Sequence, residues 1–161
     1  MESIVQVTQP DEKAAIAGTI LSRLPDWFGL PESTRRYIEE SRALPFFACM
    51  REETAVGFAV LRETSPYAAE IHVMGVLPEY HRKGIGTRLF DALKAYAVAQ
   101  GYAFLQVKTV QSGHYEEYDR TNAFYRRMGF RELEVLPTLW DEWNPCQVYV
   151  MSIGINNMKQ L

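Results

Sequence analysis

The segment that most constrains this chain runs from Ala69 to Val110, where a strand pattern, a glycine turn, an amphipathic helix and a second strand pattern follow in order. AEIHVMGV, Ala69–Val76, alternates like a strand, and Leu77-Pro78-Glu79-Tyr80 ends it. Past the turn, Ile85, Leu89, Leu93 and Tyr96 recur as one apolar helical stripe, and Gly101 follows as its stop. YAFLQVKTV then reads as another strand. Strand, helix and strand in that order predict a right-handed βαβ crossover whose two strands run parallel.

The flanking sequence supplies the remaining layers. Ile4–Val7 alternates as a short strand, and Pro10 opens a helix whose buried face is Ile16, Ile20 and Leu24, stopped by Pro25. Glu32 to Arg42 reads as a polar helix, and Pro45–Met50 pairs with AVGFAVLRE across the turn REET. EEYDRTNAFYRRMG is a helix ending at Gly129, with Phe124 and Met128 expected on its inward face. FRELEV and CQVYVMSI are late strands, separated by the Trp-bearing loop LPTLWDEWNP. The expected fold class is mixed α/β, one domain over residues 1–161, with a sheet of about seven strands and about four helices.

A chain of 161 residues buries one core and is short for two domains. Its 17 Lys and Arg against 20 Asp and Glu give a charge of −3, which argues against nucleic acid or an anionic membrane as partner. Cys49 and Cys146 lie far apart in apolar strands, as thiols do in a reducing cytoplasm. His72, His81 and His114 have no metal-ligand spacing with either cysteine, so no metal is expected. The start carries no leader pattern, and no run reaches the ~20 apolar residues of a membrane span. The expectation is a soluble cytoplasmic domain.

Chemistry concentrates in His81-Arg82-Lys83-Gly84-Ile85-Gly86-Thr87. Two glycines where a helix begins let the backbone approach a ligand and offer unpaired N–H groups to a phosphate. A tight strand–helix turn is the plainer reading. The Walker pattern is absent, and Arg88 and Leu89 stand where a dinucleotide loop needs its third glycine.

What remains resembles the acetyl-CoA loop of the GNAT N-acetyltransferase superfamily, [Q/R]-x-x-G-x-[G/A]. The match extends to Val76, Pro78, Glu79 and Tyr80 before it and to Thr87-Arg88-Leu89 after it, and departs at the first position, where His81 stands. A second match, NAFYRRMGF at Asn122–Phe130, is similar to the family's A-x-x-x-Y-x-x-x-G-F signature. The resemblance implies acetyl-CoA as co-substrate, seated where the strands ending near Val76 and Val110 splay. Met74, Val76, His81, Arg82, Lys83, Gly84, Ile85, Gly86, Thr87 and Tyr118 would hold it. Tyr118 stands where family members often carry an asparagine, and Asn122 is not promoted to that role.

The same resemblance implies Tyr125 as proton donor to the departing thiolate and Glu70 as general base. Read from the residues alone, Tyr125 is equally a core aromatic and Glu70 a solvated carboxylate at a strand start. His72, two residues on, is an alternative base, because an imidazole's pKa of about 6.5 suits neutral pH, although a core or strand-edge histidine is the plainer reading. The resemblance implies a primary amine as acceptor, and the two long loops lean toward that of a small molecule. A protein or peptide amine, or a non-catalytic acyl-CoA-binding domain, are the alternatives, and a homodimer stays open. Trp27, Phe28, Glu32, Trp140, Asp141, Glu142 and Trp143, in two long loops, could attract and stack on a cationic amine.

Overall fold

A computed structural model describes residues 2–154. The elements are β1 (Glu2–Val7), α1 (Pro10–Leu21), α2 (Pro31–Ser41), β2 (Phe46–Arg51), β3 (Thr54–Ser65), β4 (Ala68–Val76), a 3-10 turn (Pro78–Tyr80), α3 (Ile85–Ala99), β5 (Phe104–Val110), α4 (Glu116–Met128), β6 (Arg131–Leu136) and β7 (Cys146–Ser152). Seven strands form one mixed sheet in the order β1-β2-β3-β4-β5-β7-β6. The parallel pair expected across the crossover is present, with Ala68, Ala69 and Glu70 of β4 opposite Phe104, Leu105 and Gln106 of β5. The last strand, β7, runs antiparallel to both β5 and β6. Among the described residues no helix is long and apolar enough to cross a membrane.

The described residues divide into two compact units, 2–62 with 71–96 and 63–70 with 97–154. In the first, the hairpin β2–β3 buries Phe46, Phe47, Phe58 and Val60, and the Phe46 and Phe58 rings stack at 5.2 Å. Helix α3 brings Ile85, Leu89 and Leu93 of the expected stripe to this core with Phe90 beside them, while Tyr96, the fourth expected member, is half-buried. Helix α1 and the turn after it lie close on β4 at Gly75, where an added Cβ would sit 3.4 Å from Ile20 Cγ2 and 2.9 Å from Leu24 Cδ1. Any side chain there would push α1 away from the strand.

Helix α1 ends at Leu21, four residues before the proline expected to stop it. Arg23 N–H bonds Ile20 O and Leu24 N–H bonds Leu21 O, so the chain tightens into i→i+3 turns while Leu24 stays buried. Lys13 reaches past α2 to donate to Leu44 O at 2.8 Å, and burial pushes its ammonium below the ordinary lysine value.

The core of the second unit is Leu105, Val107, Val110, Phe130, Cys146, Val148 and Tyr149. Asn122 and Tyr125 are the buried residues of α4, whereas Phe124 and Met128, expected inward, are only half-buried. A polar residue wins the inward position because its hydrogen bonds are met there. Cys49 and Cys146 are free thiols, each buried in its own unit.

Candidate active site

The first unit carries the glycine loop. Strand β4 leads into it through Leu77, whose N–H bonds Val56 O, and through the 3-10 turn, whose Tyr80 N–H bonds Leu77 O. The His81 ring donates from Nε2 to Val76 O at 2.7 Å and meets the edge of Trp27. This histidine therefore ties the loop back to the end of β4. Arg82 and Gly84 take left-handed φ values of 63° and 78°.

Alternating handedness of this kind turns successive N–H groups toward one side, the geometry of an anion-binding nest. Helix α3 begins immediately afterwards: Arg88 N–H makes the first intrahelical bond, to Gly84 O, and Gly86 lies in the opening turn. The earlier N–H groups of the turn have no carbonyl a turn behind them. Ile85 is buried and anchors the helix start, while Arg82, Lys83 and Thr87 are exposed.

Cations flank this loop. The Lys83 ammonium lies 5.5 Å from the Tyr80 ring centroid, and Arg51 Nη1 donates to Tyr80 Oη at 3.1 Å. Arg23 forks onto Glu79 at 3.1 and 2.8 Å. Backbone hydrogen bonding and then that fork hold the Glu79 carboxyl below the usual range. Met74 and Val76, at the end of β4, are half-buried.

Further back on β4, His72 Nε2 lies 2.9 Å from Glu40 Oε2 on α2 without the geometry of a hydrogen bond, its side chain 6% exposed. The Tyr37 ring stands edge-on to the imidazole at 5.3 Å. Neither partner was legible in the sequence. They lie 32 and 35 positions away, and only the packing of α2 over β4 brings them there.

In the second unit, Glu70 is 5% exposed and not the solvated carboxylate its place at a strand start suggested. Lys108 Nζ meets its Oε2 at 2.9 Å. Lys108 was missed for the same reason: it becomes a neighbour only through the parallel β4–β5 pairing.

Tyr125 is 8% exposed, and its ring packs against Phe124, Phe130 and Tyr149 at 5.5, 5.7 and 6.1 Å. Tyr118 lies two turns earlier on α4, half-buried, beside the Tyr115 ring. Asn122, between them, donates from Nδ2 to Val110 O at 2.8 Å and Tyr118 O at 2.7 Å and accepts from Tyr149 Oη. Both hydrogens of its amide and one lone pair of Oδ1 are engaged, tying α4 to the end of β5 at Val110 and to Tyr149 in β7.

Of the aromatic and acidic loop residues, Trp27 and Phe28 are half-buried, and Trp140 and Trp143 stand out at 44% and 70% exposure. Asp141 accepts from Asn144 Nδ2 and from the N–H groups of Trp143 and Asn144, which hold its carboxyl below the usual range. That carboxylate organises its own loop.

Residues 12–130 match the model of the acetyltransferase (GNAT) family. The chain is 36% identical over 83 residues to the N-alpha-acetyltransferase RimI of Mycobacterium tuberculosis, a match covering 50% of this chain and 48% of that protein. It thus spans about half the length of this curated relative. Among solved structures, the ribosomal-protein-S18-alanine N-acetyltransferase of Escherichia coli superposes with a TM-score of 0.75 at 20% identity, over 95% of this chain and 94% of that one. An aminoglycoside 6'-N-acetyltransferase complexed with coenzyme A gives 0.70 at 17% identity, over 92% and 97%.

Proposed function

Because the chain belongs to the acetyltransferase (GNAT) family, we propose that it transfers the acetyl group of acetyl-CoA to a primary amine by direct attack. The observation that carries this is the loop from His81 to Gly86, with left-handed backbone at Arg82 and Gly84 ahead of α3. N–H groups so turned, at the positive end of a helix, suit the pyrophosphate of coenzyme A. Arg82 and Lys83 add exposed positive charge at the same loop. Thr87, in the first turn, and Tyr118 complete the proposed cofactor set.

The main chain from Met74 to Val76 would then polarise the thioester carbonyl and hold the oxyanion that forms on attack. The acceptor nitrogen loses a proton and bonds to the acetyl carbon. The carbon–sulfur bond breaks, and the electron pair leaves on the thiolate. Tyr125 would protonate that sulfur, since a phenol with a pKa of about 10 is protonated at neutral pH. Glu70 is the group we assign to take the amine's proton, with His72 on the same strand as the alternative. No covalent enzyme intermediate is needed, and burial pushes both cysteine thiols up, away from nucleophile chemistry.

Our preferred acceptor is a small-molecule amine. The likeness to RimI supports a second reading, the N-terminal amine of a peptide. Both are tested by following acetyl-CoA consumption with spermidine, kanamycin, lysine and a hexapeptide beginning in alanine. Turnover of the first three fits the small-amine reading, and turnover of the hexapeptide alone replaces it with the second. A rise in melting temperature with acetyl-CoA but no turnover of any amine makes the domain a non-catalytic binder.

A further inference from the structure

We propose that Arg51 and Lys83, gathered on the Tyr80 ring, form a site for a phosphate monoester beside the glycine loop, and that its occupant is the 3'-phosphate of coenzyme A. This rests on the acetyl-transfer reading above. It adds a second anchor for the cofactor, supplied in part by a residue that no loop motif contains.

All the pieces belong to the first unit. Arg51 is the last residue of β2, where it pairs with Thr54 to close the hairpin. Its guanidinium carbon stands 5.7 Å from the Tyr80 ring centroid, and Nη1 donates to Tyr80 Oη at 3.1 Å. Lys83 lies between the two left-handed residues of the loop, Arg82 and Gly84, and its ammonium is 5.5 Å from the same centroid. Tyr80 is itself fixed, since its N–H bonds Leu77 O in the 3-10 turn that leads into the loop. One ring thus brings a cation from β2 to a cation of the loop.

Both cations are exposed, and among the described residues neither is hydrogen-bonded to a carboxylate. Glu2 and Glu52 act on the guanidinium only through space. The acid of the turn itself, Glu79, is already held by the fork from Arg23. An aromatic ring attracts each cation but leaves the repulsion between them in place. A dianion bound by both removes that repulsion and gains charge-assisted hydrogen bonds.

Coenzyme A presents two kinds of phosphate. Its pyrophosphate suits the N–H groups of a nest at a helix start. Its 3'-phosphate is a monoester with about −1.5 to −2 charge at neutral pH, and side-chain cations suit it better. Because Lys83 belongs to the loop and reaches Tyr80, the two seats adjoin, one of main chain and one of side chains.

The test measures binding to the full chain by calorimetry with two probes, acetyl-CoA and acetyl-3'-dephospho-CoA, which differ by that one group. The parent should bind acetyl-CoA at least about tenfold more tightly, with the gap narrowing as salt is added. Arg51→Gln should bring the ratio to about threefold or less by weakening acetyl-CoA alone, with affinity for the dephospho probe held within about twofold. Arg51 is exposed at a hairpin end, so its loss leaves the core intact. Lys83→Gln should lower the ratio in the same way. Tyr80→Phe keeps the ring, removes the oxygen that aims the guanidinium, and should give a ratio between those of the parent and Arg51→Gln.

A merely structural role for these residues moves both probes together. The site is overturned by a parent that binds both probes equally, by a ratio that survives Arg51→Gln and Lys83→Gln, or by variants that weaken both probes alike. A parent that binds neither probe rejects the acetyl-transfer reading itself.

Discussion

The loop before α3 and the inner face of α4 both belong to the proposed chemistry, yet they are built from opposite materials. The loop is main chain at the surface: exposed side chains, two left-handed residues and the start of a helix. The face of α4 is buried side chain: Tyr125 within three aromatic rings and Asn122 with its bonds all made inside. A cradle of backbone tolerates a change of side chain, which is how His81 can stand where the family carries Gln or Arg. A buried aromatic cluster tolerates little, because each ring's position depends on the others. Binding and turnover should therefore separate when the two regions are altered one at a time.

The largest effect expected is on turnover. Tyr125→Phe removes one hydroxyl from the α4 face and should cut kcat by roughly 10²–10⁴-fold while the acetyl-CoA dissociation constant barely moves. Unchanged kcat with a good acceptor would leave Tyr125 a packing residue. A collapse of stability would make its hydroxyl structural.

Next in size is Asn122→Ala, which takes from Val110 O and Tyr149 Oη the partner they have inside the protein, Tyr118 O keeping its helical bond. Losing those bonds inside the protein should cost about 3–4 kcal/mol, a fall in melting temperature of roughly 10 °C. Acetyl-CoA should still protect the variant below its new melting point. Protection lost along with stability would tie the two regions together and break the contrast.

Gly84→Val attacks the loop. An added Cβ at Gly84 meets nothing within 4 Å, so crowding is not the cost. A β-branched residue at φ 78° is strained by about 1–2 kcal/mol, and relieving that strain turns the N–H groups away. The acetyl-CoA dissociation constant should rise at least about tenfold. An unaltered constant would remove the loop from the cofactor site.

The smallest effect separates the two cores by pH. Burial pushes the Cys146 thiol, in the second unit, from 9.0 up to about 11, and raises Cys49 in the first. A raised folded value means that the unfolded thiol ionises first. Stability is intact below pH 9 and declines as pH climbs toward 11. Cys146→Ala should flatten that alkaline decline in the urea midpoint, and an unchanged slope would assign it to other groups.

Much of this was readable in advance, and the reason is locality. The α3 stripe, the glycine loop and the left-handed Gly129 that ends α4 each depend on residues within a turn or two of one another. Their signals survive in a linear sequence. Even so, local signals misplaced the end of α1, because tight turns after Leu21 bury Leu24 without a continuous helix. They also put Phe124 and Met128 inward where Asn122 and Tyr125 go, since periodicity counts apolar residues and cannot foresee a polar residue fully satisfied inside.

The order of elements, the parallel crossover and the place of the loop are written in the linear chain, because they follow from side-chain period, helix stops and backbone freedom over short spans. Which groups stand as neighbours emerges in the folded molecule alone: Lys108 on Glu70, Glu40 and Tyr37 beside His72, and Tyr149 on Asn122. Those partners lie 27 to 38 residues apart, and they meet because burial of apolar faces folds strand and helix together. Hydrophobic burial is not directional. It selects which elements pack, and the polar contacts that give the site its chemistry are settled by where that packing leaves each side chain.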